Sequence, residues 1–409
     1  MEQIELAWAL RAIEDLAAFG KDARGVTRLS FSDADRRARE YVIGLMKECG
    51  LSVRIDEAGN VIGRLDGRDP LLRPVATGSH LDTVIQAGKY DGVLGIVGGL
   101  LAARRLAVRG ITHPLEVIVF AAEEPGRFNI EAMGSKAMAG LANMTAWLRE
   151  KDLSGISFAE VLAQAGLDIK NIAAAARHKG DIAGFVELNI EQGAILEQEQ
   201  KEIGIVEELA GRIRMKMVIE GLAAHAGTTP MHKRFDALVS AAMIILAIEE
   251  IGVEQSDLGT VATVGNLRVL PGGLVTVPGR VEMFVDIRGT DQDSIIETVQ
   301  EIKDAVSTIA DGQETPVSID VVYSEHPTRM DDAIIKAAEN ACQRLGRPYV
   351  RMPSGAGGTA LNMTRLGPAG LLLIPCRNGL SHNPDEHAEP EHIAGGIDVL
   401  TEVLAELAG

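Results

Sequence analysis

A two-domain α/β protein is what this sequence predicts: a mixed, largely parallel sheet with helices on both faces, interrupted by a smaller α+β domain. Three observations carry that prediction. Short β-branched runs at 74–77 and 115–120 flank an apolar helical stretch that begins near Gly92, which is the strand, helix, strand order of a parallel crossover. From Ile213 the texture changes, and RIRMKMVIEG alternates with period two before a mixture of helices and strands. After His326-Pro327 the α/β pattern returns, so the first domain is discontinuous, over 1–212 and 325–409, and the insert spans 213–324. A chain of 409 residues is long enough for two cores.

The elements follow in order. Residues 32–49 place Ala38, Tyr41, Val42 and Leu45 at helical spacing, with Ser32 as N-cap and Gly50 as the stop. LSVRIDEAGNVIGRLDG reads as a hairpin turning at 57–60. The run GVLGIVGGLLAA is too short to cross a bilayer and ends in Arg104 and Arg105, so it reads as a buried helix. Residues 141–183 form a helical excursion without identifiable chemistry. In the insert, helices are expected at 236–251 and 293–311, and strands in VATVGNLRVLPG, GRVEMFVDIRG and 317–323. Beyond it come a helix at 331–345, an apolar strand at 370–375 and a closing helix at 390–407.

Composition narrows the function classes. A net charge of -18 leaves Lys and Arg in deficit, which argues against a nucleic-acid surface. Cys49, Cys342 and Cys376 are far apart and odd in number, so neither a disulfide framework nor a structural zinc site is expected. The N-terminal stretch has acids within its apolar pattern and no basic region before it, so a cytoplasmic protein without a membrane partner is expected.

Chemistry-bearing residues recur at the ends of apolar strands. Gly78-Ser79-His80-Leu81-Asp82 follows the first, and Asp91 lies in KYDGVLG. A His and a carboxylate one residue apart suit a metal ligand and the acceptor that orients it, although a satisfied surface pair is the commoner reading of such a pair alone. LEVIVFAA ends in Glu123-Glu124, where one acid can ligate while its neighbour takes a proton; a solvated strand end is the plainer reading. GLLLIPC is followed by His382 and Glu386. Open α/β sheets gather their sites at the carboxyl ends of strands, so His80, Asp91, Glu124 and His382 can converge there, and they suit Zn, Mn or similar ions.

GSHLDT, KYDGVLG, the Glu-Glu pair, MGSKAMAG, ELNIEQG, AAHAGTTPM, the DIR strand end and NGLSHNP together resemble the hydantoinase/carbamoylase amidase family. The likeness runs from about Val26 to the end. It implies a two-metal catalytic domain with an inserted lid that also forms a homodimer. By the resemblance His80 is a ligand of the first metal, Asp91 bridges, Glu124 and His382 hold the second, Glu123 is the general base, and Asp82 supports His80. His225 would stabilise an oxyanion, Arg288 would hold a substrate carboxylate, and Gln192 and Gly355 would line the substrate. Read from the residues alone, His225 between small residues fits a structural role and Arg288 fits a surface charge.

The chain departs from the family in four places. Asn189 stands where the first metal's histidine is expected. Residues 354–359 lack the His and Asp of the usual SGAxHD. Val275 replaces an asparagine expected to bond substrate, and Pro125 replaces the Gly after the acid pair. The expected function is therefore a metal-dependent amidohydrolase, cleaving a linear amide or ureido C–N bond of a small carboxylate-bearing molecule through a metal-activated water, with Glu123 as base. N-carbamoyl-L-amino acids, allantoate and related N-substituted amino acids are the expected substrates, with one or two Zn, Mn, Co or Ni ions per subunit. An N-acyl or ring-opening hydrolase and a metal-deficient small-molecule binder are the alternatives.

Overall fold

A computed structural model describes all 409 residues, and the chain divides into two compact units. The first comprises Met1–Glu207, Met330–Ser354 and Gly358–Gly409, and the second Glu208–Arg329 with Gly355–Gly357.

The first unit is built on parallel strands in the spatial order Leu115–Phe120, Val75–His80, Gly184–Ile190, Ala369–Ile374. All residues of these strands are buried, which is why they read as apolar runs rather than as alternating ones. The hairpin Ser52–Ile55 and Val61–Leu65 extends one side antiparallel, and Ile203–Leu209 extends the other. The predicted strand at 74–77 continues to His80, because Gly78-Ser79-His80 still pairs with Ile118–Phe120. Ile203–Leu209 and Tyr349–Ser354 were not expected; both are interrupted by charge or proline, which masks their pattern.

Val93–Arg109 is buried along most of its length and packs against Pro390–Ala408 and Gln3–Ala18. Each fully buried Leu, Ile or Val there contributes about 1.5–3 kcal/mol. Residues 141–183 condense into short helices around Phe158, whose ring meets Phe128 edge-on at 5.1 Å. No helix is long and apolar enough to cross a membrane.

The second unit is an antiparallel sheet ordered Thr260–Leu270, Arg280–Gly289, Gly211–Glu220, Val317–Glu325. Helices Ala237–Gln255 and Gln292–Gln313 close its core, centred on Met215, Met283, Ile244 and Ile302. Asp236 caps the first of these helices through Leu238 N and Val239 N.

Candidate metal centre and active site

The carboxyl ends of the parallel strands of the first unit gather the residues singled out in the sequence. His80 ends its strand, Glu123 and Glu124 follow Phe120, and Asn189 lies one residue before the end of its strand. His382 arrives on the loop after Ala369–Ile374. Ala122, Gln192 and His382 all have left-handed backbones, with φ of 50°, 61° and 54°. Such conformations cost free energy for non-glycine residues and cluster where a side chain must be aimed.

Asp91 is the hub. Its Oδ2 lies 3.3 Å from His382 Nε2, which is also 3.2 Å from Glu124 Oε1. Its Oδ1 lies 3.8 Å from His80 Nε2 and accepts from Asn189 Nδ2 at 2.9 Å and Gln192 Nε2 at 3.1 Å. Ligand atoms of His80, Asp91 and Glu124 all lie within 4.8 Å of one another. Imidazole and carboxylate are the donors that Zn-like and Mn-like ions take. The 3.2 and 3.3 Å separations set His382, Asp91 and Glu124 close enough to hold one ion between them. The residues therefore fit a divalent ion.

Gly92 makes room for this arrangement. Its φ is +70°, and a Cβ there would come within 2.6 Å of the His80 ring. Glu386 ties the Asp91 turn to the His382 loop: it accepts from Tyr90 N at 2.8 Å and Asp91 N at 3.2 Å, and its other oxygen accepts from Ser381 Oγ at 3.1 Å.

Asp82 corrects an expectation. The sequence reading pairs its carboxylate with His80, but His80 Nδ1 meets the main-chain carbonyl of Asp82 at 2.9 Å. The carboxylate instead accepts from Glu123 N at 3.2 Å and Glu124 N at 2.9 Å. These two N–H donors tie both glutamates to one carboxylate and so fix them together. Asn189 is likewise occupied: besides its bond to Asp91, its oxygen accepts from Ile190 N at 2.8 Å and Gly92 N at 3.3 Å.

The electrostatics are those of a cation site. Burial pushes Glu123 up to about 8, with His80 opposing and the charges of Glu187, Asp82 and Glu124 adding to the rise. Burial likewise raises Asp82 to about 6 and Glu187 to about 7. For His80, burial favours the neutral ring, but Asp91, Asp82 and Glu124 win and lift it to about 9. Hydrogen bonds to Asp91 and Glu124 lift His382 to about 10. Burial alone would raise Asp91, but His382 and His80 hold it below the usual carboxylate range.

Two residues of this neighbourhood carry no sequence signal. Glu187 accepts from Ser79 Oγ at 2.7 Å and from Ala360 N at 2.9 Å, contacts far apart in the chain. Arg28 is wholly buried; its Nε donates to Leu81 O at 2.6 Å and its main-chain N to Thr83 Oγ1 at 2.9 Å, clamping the turn that carries Asp82.

The remaining predicted residues lie in the second unit. His225 is exposed, on a two-residue strand facing Thr276, and its Nδ1 accepts from Gly227 N at 3.1 Å. Arg288 donates from Nε to Asp286 at 2.7 Å and from Nη1 to the Gly355 carbonyl at 3.0 Å. Val275 is exposed, and its carbonyl accepts from Ala226 N at 2.9 Å.

Comparison with known proteins decides the family. The model of peptidase family M20/M25/M40 matches residues 76–406. The chain belongs to that family. An N-carbamoyl-L-amino acid amidohydrolase of Geobacillus stearothermophilus is 39% identical over 412 residues, covering 100% of this chain and 99% of that protein. A ureidoglycolate hydrolase of Oryza sativa subsp. japonica is 37% identical over 405 residues, covering 97% of this chain and 84% of the relative. The solved structure of a hydantoinase/carbamoylase family amidase from Burkholderia vietnamiensis superposes with a TM-score of 0.91 at 32% identity, covering 98% and 97% of the two chains. This M20-family chain is an amidohydrolase of the hydantoinase/carbamoylase kind, and its His, Asp and Glu cluster fits divalent metal binding.

Proposed function

We propose that the chain hydrolyses a ureido or amide C–N bond of a small molecule that also carries a carboxylate, with N-carbamoyl-L-amino acids and ureidoglycolate as the leading substrates and allantoate next. The observation that carries this reading is the half-buried Glu123 beside the His80, Asp91, Glu124 and His382 donor set. The relatives named above act on molecules that share a ureido group and a carboxylate. A divalent ion of the Zn, Mn, Co or Ni kind, when bound by these donors, polarises a carbonyl and acidifies water.

Glu123 accepts the proton of the attacking water and returns it to the leaving nitrogen. Its carboxyl is held above the usual range by burial, and a cation held among its neighbours would lower it by direct charge. Asp82 holds the backbone of Glu123 and Glu124 so that base and ligand keep a fixed spacing. We assign Arg288 to the substrate carboxylate, a role suited to its planar fork, His225 to the oxyanion, and Gln192 and Gly355 to the substrate lining.

We also propose a homodimer through the second unit. Leu246 and Val253 on helix Ala237–Gln255 are 70% and 65% exposed, and the neighbouring Thr260–Leu270 is an edge strand of eleven residues. An apolar helix face beside a long open edge is a surface that another copy would cover.

The test is to incubate the protein, reloaded separately with Mn, Zn, Co or Ni, with N-carbamoyl, N-acyl and N-formyl amino acids, ureidoglycolate and allantoate, following consumption by mass spectrometry. Turnover of a ureido substrate that disappears in Glu123→Gln is expected. Turnover of N-acyl amino acids alone would replace this reading, and none with any ion would contradict it.

A further inference from the structure

We propose that this chain holds a single divalent ion, on the Asp91 Oδ2, Glu124 and His382 side, and that the amides of Asn189 and Gln192 stand in for a second ion against Asp91 Oδ1. The inference rests on the metal reading above and goes beyond it in number and position.

Asp91 presents its two oxygens to different chemistry. Oδ2 faces His382 and, through it, Glu124, at ligand-to-ligand spacings of 3.3 and 3.2 Å. Oδ1 already accepts two N–H donors, from Asn189 Nδ2 at 2.9 Å and Gln192 Nε2 at 3.1 Å. A cation on that side would displace both. Of the remaining donors, His80 lies 3.8 Å from Oδ1, and Glu124, within 4.8 Å of both, already meets His382 at 3.2 Å, so a second ion would lack the three or four ligands of its own that Zn-like sites require.

Asn189 cannot become a ligand by turning over. Its Oδ1 accepts the N–H groups of Ile190 at 2.8 Å and Gly92 at 3.3 Å, which fixes which end of the amide points at Asp91. Reversal would set the NH2 group against two N–H donors in a buried place and leave all of them unsatisfied. Gln192 is aimed by its left-handed backbone, φ 61°, a conformation a glutamine holds only where its surroundings impose it. Both amides thus occupy Oδ1 by hydrogen bonding, and the ion remains on the side where two carboxylates and an imidazole meet.

The test counts metal rather than turnover. The protein is stripped with a chelator, equilibrated with excess Mn(II) and freed of unbound ion; metal per chain is then measured by plasma mass spectrometry, with electron paramagnetic resonance on the same sample. One ion per chain with the spectrum of an isolated Mn(II) is expected. In Asn189→His, where an imidazole replaces the amide donor, the count is expected to double and the spectrum to show two coupled ions. Two ions in the unaltered protein would overturn the inference while leaving the hydrolase reading intact; none would overturn both. A count of one that persists in Asn189→His, with an unchanged melting temperature, would overturn the part given to Asn189. Should that variant fail to fold, the count in the unaltered protein still decides.

Discussion

On and just beyond its parallel strands the first unit holds Asp82 and Glu187 buried and Glu123 half-buried, and all three are raised, to about 6, 7 and 8. The second unit sets its carboxylates beside arginines on the same strand or on the neighbouring one. Asp286 lies 2.7 Å from Arg288 and 2.8 Å from Arg214, and although burial works against it these pairs hold it below its usual range. Glu282 is lowered by its hydrogen bond to Arg280, 2.9 Å away. Carboxylates paired within their own sheet need nothing further, whereas Asp82, Glu123 and Glu187 are hydrogen-bonded by main-chain N–H groups and hydroxyls and ion-paired to no lysine or arginine, which favours an added cation. That difference supports the proposed metal site in the first unit.

The contrast can be broken by substitution. The largest effect is expected from Glu123→Gln, which removes the base and leaves the ligands: kcat should fall by roughly 10²–10⁴ with metal content unchanged. Loss of metal along with activity would make Glu123 a ligand instead. Asp82→Asn comes next. It weakens the acceptor shared by Glu123 N and Glu124 N, and supporting residues of this type are worth roughly 10–100-fold in activity or metal affinity. Kinetics and metal titration together would show it.

Arg288→Lys tests the second unit. The fork is lost and the charge kept, so KM should rise about tenfold while kcat and metal content stay close to the parent values. A fall in metal content would show that the two units are not separable in this way. Gly92→Ala places a Cβ 2.6 Å from the His80 ring on a left-handed backbone, and should cost about 1–3 kcal/mol in thermal or denaturant unfolding.

The smallest effect is a slope. Asp82, Glu123, Glu187, His80 and His382 all have folded values above their ordinary ones, so the ion-free folded state binds more protons than the unfolded chain. Stability of the ion-free protein should therefore fall as pH rises. The carboxylates act between their unfolded values near 4 and about 8, and the histidines between 6.5 and about 10. His382, with 46% of its side chain exposed, contributes less because water screens it. A bound ion replaces the protons, so melting temperatures measured across pH should be flatter in the metal-loaded protein. Equal slopes with and without metal would detach these groups from the ion.

Much of this was legible in the sequence because it depends on local pattern. The strand Leu115–Phe120 and the helix capped by Ser32 follow from burial period and cap chemistry. His80, Glu124 and His382 follow apolar strands, Asp91 stands just before the apolar helix Val93–Arg109, and strand ends converge in a parallel sheet. What could not be read depends on contacts between distant segments. Glu187 is indistinguishable from a solvated acid until Ser79 and Ala360 are placed beside it. Arg28 looks like a surface cation until the turn at Leu81 closes over it. The direction of the Asn189 amide is set by Ile190 N and Gly92 N, and no spacing rule encodes it.

The most direct measurement follows turnover of the identified substrate before chelation, after exhaustive chelation and after return of the ion, with bound metal counted at each stage. The account predicts that turnover falls to background with the metal and returns with it. Undiminished turnover by protein shown to be free of metal would contradict it.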